Sequence, residues 1–207
     1  PTAADIAART KRVTLDGHQR WQLFVKFMPL LLMLFGANLL LTVQRDIKED
    51  FIVCIIDVST VSSWAFAYLD SIATVVLLGA FALLSAVGNH LRALCLLLIF
   101  STIGMGTIAF LGAEAEALGI PTTAWLFMQT FCIDIAYLSF RTIFFERFIA
   151  CFKVKGNVGF FIITIDFVGY LGTLALLLFK EFMAPHIDWT SFYNGMSVYV
   201  GIICCIA

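Results

Sequence analysis

Three aspartates, Asp70, Asp134 and Asp166, interrupt long apolar stretches, and Asn38 does so with a neutral amide. An ionisable side chain in such surroundings is costly and marks a site by default. A carboxylate drawn out of water resists ionisation unless a cation stands close, so it can take up and release protons in the neutral range. A proton-coupled carrier needs that chemistry. Each aspartate also has a structural reading, as a carboxylate hydrogen-bonded to the next helix. Asp70, near the start of its stretch, reads as a solvated group. Arg141 follows Asp134 by seven residues, and Arg45 follows Asn38 at the same spacing. Seven residues are two helical turns, about 10.5 Å along one face. A partner for Asp134 must therefore come from a neighbouring helix. The repeated spacing fits a three-plus-three arrangement in which the first and fourth spans are equivalent and inverted.

Asp166 stands in Gly159-Phe160-Phe161-Ile162-Ile163-Thr164-Ile165-Asp166-Phe167-Val168-Gly169-Tyr170-Leu171-Gly172. On a helix Gly159, Asp166, Gly169, Tyr170 and Thr173 fall near one face, where small residues admit a close neighbour. This aspartate is expected to face protein rather than lipid. Glu146-Arg147 and the run Lys153-Val154-Lys155-Gly156-Asn157 gather charge at the end of the fourth span. They read as a latch that breaks when helices part, or as an anchor on lipid phosphates. Gly104-Met105-Gly106 has no phosphate-cradling context and reads as close helix packing.

No catalytic residue, metal ligand or cofactor is assigned. His18, His90 and His186 stand apart in loops. The six cysteines (Cys54, Cys95, Cys132, Cys151, Cys204 and Cys205) lie in or beside apolar runs without a C-x-x-C pair. They read as small hydrophobes rather than a zinc site or disulfide framework. A membrane enzyme is disfavoured because no cluster of His, Cys or acidic residues converges at one depth.

The elements that carry these residues follow from composition. Of 207 residues, 61% are hydrophobic and only 13% charged, with a mean hydropathy of +0.98. A soluble domain carries about 25% charge, so half the usual charge cannot cover a soluble globule. Soluble enzymes, disordered chains and nucleic-acid binders are disfavoured together, and the lipid bilayer is the expected surrounding. A bilayer core takes about 20 residues of helix. That ruler gives six spans at about 23–43, 67–87, 91–112, 122–142, 157–179 and 190–207, an all-α polytopic bundle. The breaks have physical causes: Gly88-Asn89-His90, Gly119-Ile120-Pro121, the basic hairpin at 153–157, and Met183-Ala184-Pro185-His186.

Residues 1–22 form a polar, basic linker with Arg9, Lys11, Arg12 and Arg20, and lack the apolar core of a signal peptide. Asp16 followed by Gln19 resembles a capping box that starts a helix near Gly17. If this end faces the cytoplasm, the inner set is Arg9, Lys11, Arg12, Arg20, Lys26, Arg92, Arg141, Arg147, Lys153 and Lys155. The outer set is Arg45, Lys48 and Lys180, so the bias is ten to three. Both ends of the segment are then cytoplasmic. The start without Met and the finish at Ala207 inside an apolar helix suggest part of a longer polypeptide. The charge run Gln44 to Asp50 either continues the first helix or lies in the outer interface; Arg45 and Glu49, four apart, favour continuation.

Six spans behind a basic linker resemble the C-terminal half of a major facilitator superfamily (MFS) protein. The run Arg141-Thr142-Ile143-Phe144-Phe145-Glu146-Arg147-Phe148-Ile149-Ala150 is similar to one in a bacterial family of uncharacterised, facilitator-like multi-pass membrane proteins. The similarity continues through Phe152 to Phe160 and Asp166 to Gly172, and Arg45-Asp46 with Phe51 matches the pattern after that family's seventh helix. The family more often has aspartate at Glu146 and serine at Phe167, and the facilitator loop signature shrinks here to Gly88-Asn89-His90-Leu91-Arg92. The resemblance implies half of a twelve-helix fold whose partner is an N-terminal six-helix half, in a bacterial inner membrane. It points to Asn38, Arg45, Asp46, Asp134 and Arg141 as cavity-lining residues. The implied function is secondary transport of a small solute by alternating access, with proton coupling through Asp134 or Asp166. The alternative is a non-transporting membrane sensor or assembly protein on the same scaffold, which the reduced loop favours.

Overall fold

The computed structural model describes residues 16–57, 59, 61–152, 158–183 and 187–206, and it is all-helical among them. The helices are α1 (Gly17–Lys26), α2 (Met28–Asp50), α3 (Ile52–Ile55), α4 (Ser63–Ser85), α5 (His90–Glu114), α6 (Thr122–Ser139), α7 (Phe145–Phe152), α8 (Val158–Met183) and α9 (Trp189–Ile206). A π-helical turn, Phe140–Phe144, joins α6 to α7.

Among the described residues four helices are long and apolar enough to cross a membrane: α2, α4 from Trp64, α5, and α8 over Phe161–Phe182. The expected spans at 122–142 and 190–207 become α6 and α9, each 18 residues long. Both carry polar side chains at short intervals, Gln129, Thr130 and Asp134 on one and Asn194 and Ser197 on the other. The first span also shifts. A helix does begin at Gly17, but it breaks at Phe27 and restarts as α2, with Pro29 in its first turn. Proline has no N–H and crowds the carbonyl four residues back, so it starts helices and interrupts them. From that start α2 runs to Asp50, so the charge run continues the helix, as the Arg45–Glu49 spacing favours.

Local chemistry explains the other ends. Asn89 accepts the Arg92 amide at 3.1 Å and caps α5. Gly119 takes φ +62°, a conformation costly for any side chain, and Pro121 then opens α6. Asp188 accepts the Thr190 amide at 3.1 Å and the Ser191 hydroxyl at 2.6 Å, capping α9. The breaks at 153–157 and 184–186 lie outside the described residues.

Half of the apolar stretch of α2 is buried, against 17% for α4 and 22% for α8. α2 is thus the central helix, with α6, α8 and α9 packed on it. α4 and α8 turn Val75, Leu78, Leu83, Ile163, Phe167 and Leu174 outward. A continuous apolar exterior of this kind asks for lipid. The expectation that Tyr170 shares the protein-facing side of α8 does not hold, since it is 64% exposed. Two apolar clusters fill the interior. One gathers Leu31, Phe35, Leu97, Ile133, Phe145 and Phe161; the other gathers Ile47, Phe51, Leu111, Trp125, Leu126 and Tyr193.

Glycine sets the closest approaches. A Cβ on Gly201 would lie 2.6 Å from the Met105 carbonyl oxygen, and one on Gly112 would lie 2.6 Å from that of Asn194, so α5 and α9 touch backbone to backbone. Gly104 presses against Cys132 and Ile135 in the same way, as its motif suggests. Gly201→Ala should cost about 1–3 kcal/mol by overpacking and lower the thermal midpoint of the detergent-solubilised protein. Gly195→Ala, which meets open space, should leave it unchanged or raise it slightly.

The Asp188 cap gives a second test. Hydrogen bonds from the Ser191 side chain and then its amide hold the Asp188 carboxyl below the usual carboxylate range. A depressed value stabilises the fold above the unfolded pKa and loses that stabilisation as pH falls through the folded one. Asp188→Asn should therefore melt below the parent at neutral pH, and a melting series should show the gap closing below about pH 4.

Candidate functional site

The last two turns of α2 carry Gln44, Arg45, Asp46, Lys48 and Glu49, more charge than a helix at the centre of a bundle can hold unaided. Partners come from three helices. Arg45 reaches Glu49 one turn on at 2.8 Å, Asp134 of α6 at 3.5 Å and Asp46 at 4.0 Å. Arg141, in the π-helical turn, reaches Asp166 of α8 at 2.8 Å. Both guanidinium groups rest against one ring: Tyr137 lies 4.0 Å from Arg141 and 4.8 Å from Arg45, centroid to guanidinium carbon. Such contacts favour the planar arginine cation. Two ion pairs are thus joined through one buried aromatic side chain.

Neighbouring groups set the positions. The Thr173 hydroxyl donates to Asp46. Asn38 donates to the Ile165 carbonyl at 3.0 Å, pinning the backbone next to Asp166. Gly169 and Gly172 let α8 close on Thr42, Leu39 and Val43 of α2. The π-helical turn holds Arg141 where the helix is locally wider, a geometry that recurs at functional sites. Just before it, the Ser139 hydroxyl bonds back to the Ile135 carbonyl.

A second polar chain runs along the other side of α2. Lys48, 5% exposed, donates to Thr130 at 2.7 Å. Gln44 donates to Ser197 at 2.6 Å, Ser197 to the Tyr193 carbonyl at 2.8 Å, and the Tyr193 hydroxyl to Gln129 at 3.3 Å. All four of these side chains are fully buried. The charged cluster is more open, with side-chain exposures of 29% for Arg45, 21% for Asp134, 20% for Arg141 and 27% for Asp166. One chain is interior scaffolding and the other borders accessible space.

The structure brings together all six residues expected at a cavity: Asn38, Arg45, Asp46, Asp134, Arg141 and Asp166. Asp134 and Arg141 do not pair with each other; each takes a partner from another helix, as their spacing demands. Asp70 is exposed. Arg147 donates to the Ser85 carbonyl at 2.9 Å and meets His90 at 3.1 Å, while Glu146 is exposed. Arg147 thus ties α7 to the end of α4 and the start of α5. Lys153 and Lys155 lie outside the described residues.

Arg45 and Lys48 sit inside the bundle, not in an outer loop. Cys132 is buried as expected, whereas Cys54 and Cys95 are exposed. No group of three or more His, Cys, Asp or Glu among the described residues is placed to hold a metal ion. Sequence reasoning passed over Tyr137, Lys48, Gln44 and Gln129. Tyr137 did carry a signal, lying between Asp134 and Arg141 on the same helix.

Comparison with protein families matches the whole chain, residues 1–207, to a family of unknown function, DUF5690. The chain belongs to DUF5690. No curated protein and no solved structure matches it. The Arg45–Asp134 and Arg141–Asp166 pairs are thus features of a helical bundle in a DUF5690 chain. Neutralising one member of a pair strands the other charge. Asp166→Asn and Arg141→Gln should each lose about 1–3 kcal/mol, discounted because both groups are partly exposed. The double variant should recover part of that loss, giving a nonzero coupling in a thermal double-mutant cycle.

Proposed function

We propose that this chain is half of a secondary carrier that moves a small solute across a membrane by alternating access. The paired charges joined through Tyr137 carry the reading. They lie within the bundle on three helices, partly open, where a membrane protein with no use for them would do better with apolar side chains. The helices that supply them, α2, α6 and α8, correspond to the seventh, tenth and eleventh of a facilitator fold under the resemblance of the sequence. On this reading all six long helices cross the membrane, both ends face the cytoplasm of a bacterium, and a preceding six-helix half closes the cavity.

Proton coupling is the finer part of the proposal. Asp134 and Asp166 each have an arginine neighbour. Protonating either would release its arginine, and a proton could thereby loosen a contact between helices. Reconstituted full-length protein, loaded with a pH dye and challenged with a metabolite panel, should show solute-dependent proton flux. Asp134→Asn or Asp166→Asn should abolish it. Equal flux and pH dependence in both variants would end the coupling proposal.

A non-transporting sensor or assembly protein is the second reading. Residues 88–92 favour it, because Asn89 is used as a helix cap and His90 meets Arg147. Solute movement in the same liposomes separates the two.

A further inference from the structure

The charges of the cluster nearly balance. Arg45 and Arg141, with Lys48 of the adjoining sealed chain, stand against Asp46, Glu49, Asp134 and Asp166, a net charge of −1. Moving a net charge out of water into such a site is costly, so a ligand with no net charge is favoured. The two kinds of charge are also unevenly placed. Arg45 already shares its guanidinium among Glu49, Asp134 and Asp46, leaving that end rich in carboxylate. At the other end Arg141 has a single carboxylate neighbour, Asp166. One Nη of Arg141 lies 2.8 Å from Asp166 Oδ1 in that ion pair, and the Arg141 Nε is shielded from solvent without a hydrogen bond. An arginine offers five N–H donors in a planar fork suited to a carboxylate, and this fork is underused.

An anion alone would meet four carboxylates, and a cation alone would meet three bases. A molecule with both charges meets neither objection. Because both guanidinium groups touch the Tyr137 ring, they lie no farther apart than those two contact distances combined. We propose that the cluster binds a zwitterion of amino-acid or dipeptide size. Its carboxylate takes the donors of Arg141 that Asp166 leaves unfilled, and its ammonium settles among Asp134, Glu49 and Asp46. The inference deepens the carrier proposal by naming the solute class, and it rests on that reading only for the movement of the solute, not for binding.

Thermal stabilisation of the purified full-length protein tests it, since a ligand that binds the folded state raises the melting midpoint. The probes are L-leucine and L-leucyl-L-leucine, each with its N-acetyl form and its C-terminal amide. A free zwitterion should raise the midpoint by a few degrees, and blocking either end should remove the effect. In Arg141→Lys, which keeps the charge and loses the fork, the amide should become as effective as the free acid. The proposal is overturned if the blocked forms stabilise as well as the zwitterions, or if neither zwitterion stabilises. Stabilisation without uptake into liposomes would uphold this site and sink the carrier. Uptake of another solute class with no zwitterion effect would do the reverse.

Discussion

Everything in the bundle answers to the charged end of α2. A helix half buried in an apolar assembly cannot present Arg45, Asp46, Lys48 and Glu49 to hydrocarbon, because each unpaired charge there costs several kcal/mol. The charges must be met by other helices, and that demand places the neighbours. α6 supplies Asp134, Thr130 and Tyr137, α8 supplies Thr173, and α9 brings Ser197 to Gln44. Glycine then decides how near they come. Gly169 and Gly172 seat α8 on α2, and Gly112 and Gly201 seat α9 on α5. Apolar packing fills the rest of the interior in two clusters, one of which includes Tyr193 of the sealed polar chain.

How much of this could be read from the residues depends on the kind of signal. Membrane character is written in composition. Helix breaks at Gly88–Asn89 and Gly119–Pro121 follow from local backbone preferences that act within a few residues. Asp134 and Asp166 are conspicuous because a charge in an apolar run has no bland explanation. Arg45 and Lys48 were harder, since a dense charge run resembles a water-facing surface when viewed along one strand of sequence. Burying Lys48 depends on Thr130, 82 positions away, and no local pattern encodes that pairing. The restart at Pro29 had a local cause but stood inside an apolar run, where hydropathy alone sees one continuous span. Tyr137 and Gln129 resemble ordinary residues of a helix until Arg45 of α2 and Tyr193 of α9 arrive from elsewhere.

The two polar chains on α2 differ in a way that bears on their roles. Gln44, Gln129, Tyr193 and Ser197 are sealed from solvent and joined by neutral hydrogen bonds. Such contacts hold helices in register, and opening them leaves buried groups unsatisfied. The arginine pairs are partly exposed and geometrically loose, with one contact at 3.5 Å and another at 2.8 Å that is not aligned as a hydrogen bond. Loose ion pairs exchange partners at less cost than a sealed neutral network, because water or another ion can take over as one contact opens.

Tyr137 sharpens that difference. Each arginine rests on the ring as well as against its carboxylate, so the ring offers the cation a second, weaker contact beside its ion pair. The ring itself is held in the core, 6% exposed, on the helix that also carries Asp134 and leads into the Arg141 turn. Partner exchange can then proceed around a fixed aromatic support while the sealed network keeps α2, α6 and α9 together. A site built this way has one rigid wall and one set of charges able to change partners, a combination that the proposed carrier would use to bind and release its solute.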